Sequence, residues 1–365
     1  MRLAVLGAGH IGRAIARLLG RCGDYEVTVV DRSAEALAEL RGEPLASLQA
    51  ETGDAAALER VLRAHDVVVN ALPYYLATLA ATQARRNGCH YFDLTEDVAA
   101  TRTIRQLAAD ADTVFMPQCG LAPGFIGIVA HHLAQGFDAL HELKMRVGAL
   151  PAFPTNSLKY NLTWSVDGLI NEYCHPCEAI RDGQRIEVLP LEGLEHFSLD
   201  GTEYEAFNTS GGLGTLCETL AGRVRSLDYK SVRYPGHRAL MKMLLEELQL
   251  ASDQETLKTI MRRAIPSTMQ DVVLVFVTAS GMRGGSFVQE AFARKIFAVR
   301  EDGVEPQSAI QITTAAGVCA AVDLFREGRL PARGFVAQEQ IALPEFLSNR
   351  FGRVYQQFRQ VESIS

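Results

Sequence analysis

The sequence predicts an α/β protein: a doubly wound parallel sheet at the start of the chain, followed by a second α/β domain with a mixed or antiparallel sheet. Three observations carry this. The first 120 or so residues alternate short apolar runs with helical patterns. A glycine-rich turn, Gly7-Ala8-Gly9-His10-Ile11-Gly12, lies between the first apolar run and the first helical one. After about Phe137 the alternation gives way to strand-like runs joined by a glycine-rich connection.

Arg2–Leu6 is a short apolar run suited to a strand buried on both faces. The glycine turn follows, then a helix with apolar residues at Ile15, Ala16, Leu18 and Leu19, then a second strand, "YEVTVVD", ending at Asp31. In such a turn Gly7 allows the tight bend, Gly9 lets the backbone approach a pyrophosphate, and Gly12 lets the helix pack on the strand. The helix start, at His10 and Ile11, offers free N–H groups to an anion. Asp31 lies about 20 residues on, where an acid meets a ribose 2′-hydroxyl. The segment therefore reads as a Rossmann-type dinucleotide site. Asp31 repels a 2′-phosphate and favours NAD; Arg32 beside it would pair with that phosphate. Further strands are expected at Asp66–Pro73, in "CHYFDLTED" ending near Asp93, and at Thr113–Met116, with a helix over Leu76–Arg86. Ligands of open parallel sheets sit at the carboxyl ends of the strands. That rule puts Ala71, Leu72, Pro73, Tyr74, Asp93, Thr95 and Gly120 at the mouth of the site.

In the second half, strands are expected at Leu143–Val147, Val272–Thr278 and Phe287–Val299, the last two joined by "ASGMRGGS". Helices are expected at about Val166–Tyr173, Leu213–Arg223 and His237–Leu248. "QSAIQITTAAGVCAAVDLFREGRL" reads as a helix too apolar for a free surface. The expected domains are residues 1–136, binding the dinucleotide; 137–306, for substrate and dimerisation; and 307–365, packing back on the first.

Composition narrows the partners. Hydrophobic residues make up 48%, charged residues 22%, and the net charge is −7. No basic run is present, so nucleic acid is not an expected partner. No apolar stretch is read as long enough to span a bilayer. The N-terminus turns to glycine too early for a signal peptide, and seven scattered cysteines suit a reducing compartment. A cytoplasmic homodimer acting on a small molecule is expected.

Two long segments, "NALPYYLATLAATQARRNGCHYFDLTED" and "CGLAPGFIGIVAHHL", resemble the saccharopine dehydrogenase-like reductases. "YNLTWSVDGLINEY", "IRDGQ", "YEAFNTSGGLGTLCETL" and "VRYPGHRALMKML" look most like that family's lysine 6-dehydrogenase members. The resemblance covers about Met1 to Leu347. It implies NAD-dependent oxidative deamination of the lysine ε-amino group to 2-aminoadipate 6-semialdehyde. The same family includes saccharopine- and carboxynorspermidine-forming enzymes, which condense an amine with a carbonyl compound and use NADP(H). From the resemblance, Tyr74 and Asp93 face the substrate, the C-terminal tail returns to the nucleotide domain, and Glu51 meets the adenine ribose.

Amine oxidation needs the ammonium, with its reference pKa of about 10.4, to lose a proton first. Asp93, Tyr74 and His237 are the catalytic candidates; His237 follows the rigid turn "RYPG" and would be a general base. Arg233 in the same turn would grip a substrate carboxylate through two hydrogen bonds. Tyr160, Trp164, Ser165 and Glu172 share one substrate-side segment, Glu172 being a candidate for the α-ammonium. Thr95 would touch the nicotinamide or cap a helix. A non-catalytic NAD-binding sensor or scaffold is the alternative from another class. Cys174-His175-Pro176-Cys177 resembles a redox or zinc motif, yet it follows a helix instead of starting one and lacks two further ligands nearby. His131 and His132, adjacent on a helix, point apart. No metal is expected.

Overall fold

The computed structural model describes residues 1–299 and 306–356. Residues 357–365 of the expected C-terminal segment lie outside the described residues.

Six strands come from the first part of the chain: β1 (Arg2–Leu6), β2 (Glu26–Asp31), β3 (Ala46–Gln49), β4 (Val67–Asn70), β5 (His90–Asp93) and β6 (Val114–Met116). Their interiors are apolar because helices cover both faces: all four residues of β4 are buried. The second sheet contains β7 (Ala139–Pro151), β8 (Cys177–Arg181), β9 (Gln184–Val188), β10 (Glu195–Leu199), β11 (Thr202–Asn208), β12 (Val224–Arg233), β13 (Asp271–Arg283) and β14 (Ser286–Phe297). A last short strand, β15 (Gly334–Phe335), pairs in parallel with β6.

The first sheet is wholly parallel, in the order β15-β6-β5-β4-β1-β2-β3. The order reverses between β1 and β4, and that switch point opens the crevice where a dinucleotide binds. The second sheet runs β10-β11-β12-β7-β13-β14, with β8 and β9 branching from β12. Its pairs are antiparallel except β7 with β12.

The helix Ala309–Arg326 packs against the helix His10–Arg21 and against β13. At 18 residues and a mean hydropathy of 1.2 it is long and apolar enough to cross a membrane, which corrects the reading that no stretch is. Its window is 83% buried inside the protein, so a core position accounts for that composition. Asp271, at the head of β13, starts this helix by accepting the N–H of Ala309 and of Ile310. The expected helix Leu213–Arg223 shrinks to Leu216–Thr219. The reason lies upstream, where Gly211 and Gly214 hold φ of 85° and 58°.

Candidate active site

The glycine turn has the shape an anion needs. Gly7 sits at φ 101°. A Cβ on Gly12 would lie 1.9 Å from the Gly7 carbonyl oxygen, so the helix can approach only without a side chain there. Around Gly9 a Cβ would meet nothing within 4 Å, so the backbone there is open to close approach. Gly9 also caps the helix without a side-chain hydrogen bond, leaving the first N–H groups for a phosphate. His10 is exposed and Ile11 half-buried at that start. Ala71, whose carbonyl would lie 3.0 Å from a Gly7 Cβ, and Leu72 wall the turn from β4, with Pro73 exposed beyond. The residues present fit a dinucleotide.

Asp31 ends β2, but both its oxygens serve the backbone: Ala8 N–H donates at 2.6 Å and Ser33 N–H at 2.8 Å. Arg32 is exposed beside it. Glu51 is exposed and accepts from Gly53 N–H.

At the end of β5, Asp93 is fully buried. It accepts from Tyr91 Oη at 2.8 Å, Thr95 N–H at 3.0 Å and Gln118 N–H at 2.9 Å. Burial pushes its pKa up to about 6 against the pull of these bonds. With both oxygens engaged, fully buried Asp93 ties the ends of β5 and β6 together and does not face a substrate. That corrects its expected catalytic role. Thr95 is buried and its hydroxyl accepts from Asp97 N–H. Gly120 is pressed against the helix Ala309–Arg326, whose Gly317 would carry a Cβ 2.8 Å from the Gly120 carbonyl. Tyr74 is half-buried in the cleft between the sheets, in the field of Lys258, Asp97, Glu96 and Asp167; Tyr75 is 66% exposed.

Across the cleft lies a polar chain. Arg233, at the end of β12, is 3% exposed. Its Nε donates to Tyr173 Oη at 3.0 Å, and its guanidinium lies 5.3 Å from the centre of the Tyr160 ring. Tyr173 Oη is 3.1 Å from His237 Nε2, and His237 Nδ1 is 2.9 Å from the Leu158 carbonyl, so the ring donates through Nδ1 and accepts at Nε2. His237 is fully buried, and burial together with the Arg233 charge drives its pKa down to about 3. Both nitrogens are engaged and the ring does not reach the cleft. The general-base role is corrected to that of a positioning residue for Tyr173 and Arg233. Glu205, which the sequence reading passed over, holds this turn by accepting from Gly236 and Arg238 N–H.

Ser165 is the N-cap of the helix Val166–Cys174, accepting from Gly168 N–H at 3.2 Å. Trp164 lies over Gly168, where a Cβ would come within 2.4 Å of its ring. Glu172 is buried on the same helix one turn beyond Gly168. A second carboxylate joins it from the parallel sheet: Glu96 Oε1 would be 3.1 Å from a Gly168 Cβ. Gly211 and Gly212 close this corner, a Cβ on the first falling 2.4 Å from the Glu96 carbonyl and on the second 2.2 Å from the Tyr229 ring. Cys177 is buried in β8 and Cys174 half-buried at the helix end, away from any helix N-terminus. A shallow open groove of about 720 Å³, lined by Phe137, Leu140, Asp182 and Arg225, lies at the opposite ends of β7 and β12 and has none of this convergence.

A glycine turn shaped for a dinucleotide in the parallel sheet and a buried Arg233–Tyr173–His237 chain in the second sheet define a two-domain α/β protein of the dinucleotide-binding class. Residues 3–116 match the model of the saccharopine dehydrogenase NADP binding domain, and residues 120–356 that of the saccharopine dehydrogenase C-terminal domain. The chain belongs to the saccharopine dehydrogenase family. It is 23% identical over 274 residues to the NADP(+), L-glutamate-forming saccharopine dehydrogenase of Pyricularia oryzae, covering 72% of this chain and 60% of that protein. To the Saccharomyces cerevisiae enzyme of the same name it is 27% identical over 202 residues, covering 52% and 44%. The chain thus spans about half the length of the curated relatives it matches. The apo structure of the L-Glu-forming saccharopine dehydrogenase from Saccharomyces cerevisiae shares the fold, with a TM-score of 0.74 over 94% of this chain and 96% of that one at 18% identity.

These matches overturn the expectation of NAD: the matched domain is described as NADP binding and the relatives carry NADP(+) in their names. Asp31 misled because its carboxylate is held by Ala8 and Ser33, while the exposed guanidinium next to it suits a 2′-phosphate.

Proposed function

We propose that the protein is an NADP(H)-dependent oxidoreductase that joins an amino acid to a carbonyl compound by reducing their imine, or runs that reaction backwards. The observation that carries this is Arg233: a buried cation at the end of β12 with no carboxylate within ion-pair distance among the described residues. A buried charge without a counter-ion is costly unless a ligand supplies one. An amino-acid carboxylate fits, met by a planar guanidinium that Tyr173 orients. Bound in the crevice, the dinucleotide supplies or removes the hydride. The protein's own residues then have to hold the carboxylate, place the imine carbon at the sheet mouth and manage the proton on nitrogen.

A second reading is oxidation of the lysine ε-amine alone, with NADP+. It is favoured by Glu96 and Glu172, two carboxylates without ion-pair partners among the described residues, which suit a cationic amine. Absorbance of reduced dinucleotide separates the two. We expect NADPH oxidation that requires both glutamate and 2-aminoadipate 6-semialdehyde; NADPH formation from lysine alone would favour the second reading. In R233M the KM for the carboxylate substrate should rise about 100-fold while NADPH affinity stays unchanged. An unchanged KM would remove Arg233 from the site.

A further inference from the structure

We infer that Glu96 is the acid–base residue that moves the proton on and off the substrate nitrogen, with Glu172 beside it holding a second proton. This rests on the reductive reading above and names the group that reading leaves open.

The two carboxylates arrive from different domains. Glu96 follows β5 at the carboxyl edge of the parallel sheet, where the strands face the dinucleotide. Glu172 comes from the helix Val166–Cys174. Gly168 and Glu172 stand four residues apart, on one helix face. Because residue 168 has no Cβ, the Glu96 carboxylate can lie against that face beside the Trp164 ring. Gly211 lets the neighbouring loop close over the Glu96 backbone.

Neither glutamate has an ion pair or a side-chain partner among the described residues. Glu172 is only 6% exposed. On the segment that leads into the same helix, Asn161 Oδ1 is also buried without a hydrogen-bond partner. Buried polar groups are ordinarily paired, so a buried Glu172 without an ion pair or side-chain partner is open to a polar ligand. Burial pushes the Glu96 pKa up to about 7. It pushes Glu172 well above the carboxylate range, with the Glu96 charge adding to the effect and the Arg233 charge opposing it. Glu172 therefore keeps its proton while Glu96 can exchange its own at neutral pH.

The step balances as follows. The imine carbon accepts a hydride from the reduced nicotinamide, which is oxidised by two electrons. The C=N π pair moves to nitrogen and takes the proton leaving Glu96. Glu96 is left as a carboxylate and is reprotonated from solvent; in the reverse direction it receives the proton.

Trp164, the only tryptophan in the chain, touches the same glycine and reports on Glu96 without any turnover. In the wild type its fluorescence should titrate near neutral pH, a change that E96Q abolishes and that E172Q, which replaces one neutral side chain with another, keeps. E96Q should lose on the order of 100-fold in kcat with a flattened pH profile and bind NADPH as before. Wild-type turnover with an indifferent E96Q, or a Trp164 titration that survives in E96Q, overturns the assignment alone. A wild type that turns over no amine and carbonyl pair sinks the parent reading and this assignment with it.

Discussion

Single side chains here are decided by their partners more than by their position in the sequence. His237 shows this in a measurable way. Its folded pKa of about 3 lies below the unfolded value of about 6.5. The native state holds the neutral ring, and the unfolded chain takes up the proton first. The contribution of this histidine to stability is therefore fully present above about pH 6.5 and is lost as pH falls toward 3. Urea midpoints followed across that window should fall more steeply for wild type than for H237Q; equal slopes would refute the buried neutral ring. Asp93 and His237 were legible as members of the site region, since both stand where the chain turns at a strand end or a Pro-Gly corner. Their roles were not, because sequence shows neither the three donors that saturate Asp93 nor the Tyr173 and Leu158 groups that saturate His237. Glu96 was missed for the opposite reason. Its neighbour Asp97 reads as a helix cap and is one, accepting from Ala100 N–H at 2.7 Å. The residues that matter to Glu96, Gly168 and Glu172, are far away in the chain.

At the scale of elements, the apolar parallel strands and the glycine turn were readable because burial on both faces leaves a continuous apolar run. The hairpins β8–β9 and β10–β11 were not, although each carries an Asp-Gly pair at its turn, Asp182-Gly183 and Asp200-Gly201, with all four residues at positive φ. β9 and β10 have no fully buried residue, so they alternate only between half-buried and exposed positions and the period of two is faint. β15, two residues long, has no pattern to read. The helix Val166–Cys174 offers a clean test of an element built around one glycine. Alanine at 168 should strengthen the helix itself by about 1 kcal/mol, yet its Cβ would come within 2.4 Å of Trp164. We expect G168A to melt cooperatively with altered tryptophan emission and reduced turnover. Unchanged emission would show that the indole does not lie over residue 168.

Across the whole molecule, one buried acid ties together parts of the chain that are remote in sequence. Asp323, in the helix Ala309–Arg326, is fully buried. It accepts from Tyr25 Oη at 2.7 Å, Asn349 Nδ2 at 2.9 Å, Arg350 Nη2 at 2.6 Å and Arg326 Nη2 at 3.1 Å. Those hydrogen bonds hold its pKa below the usual carboxylate range in spite of its burial. Removing the acid leaves Tyr25 without its acceptor and Arg350 with Asp24 alone, so D323A should cost about 3 kcal/mol in denaturant unfolding while NADPH binding by the folded fraction persists. A loss within experimental error would show the network to be incidental. The placement of this helix and of β15 has a consequence for biosynthesis. The strand beside β6, and the apolar cover over the helix His10–Arg21, are made by residues more than 300 positions from the N-terminus. While the ribosome is still making the second sheet, the finished nucleotide-binding region stands with an open strand edge and a bare apolar flank, both of them surfaces that invite aggregation. The parallel sheet is made well before the segments that close its edge and cover its first helix.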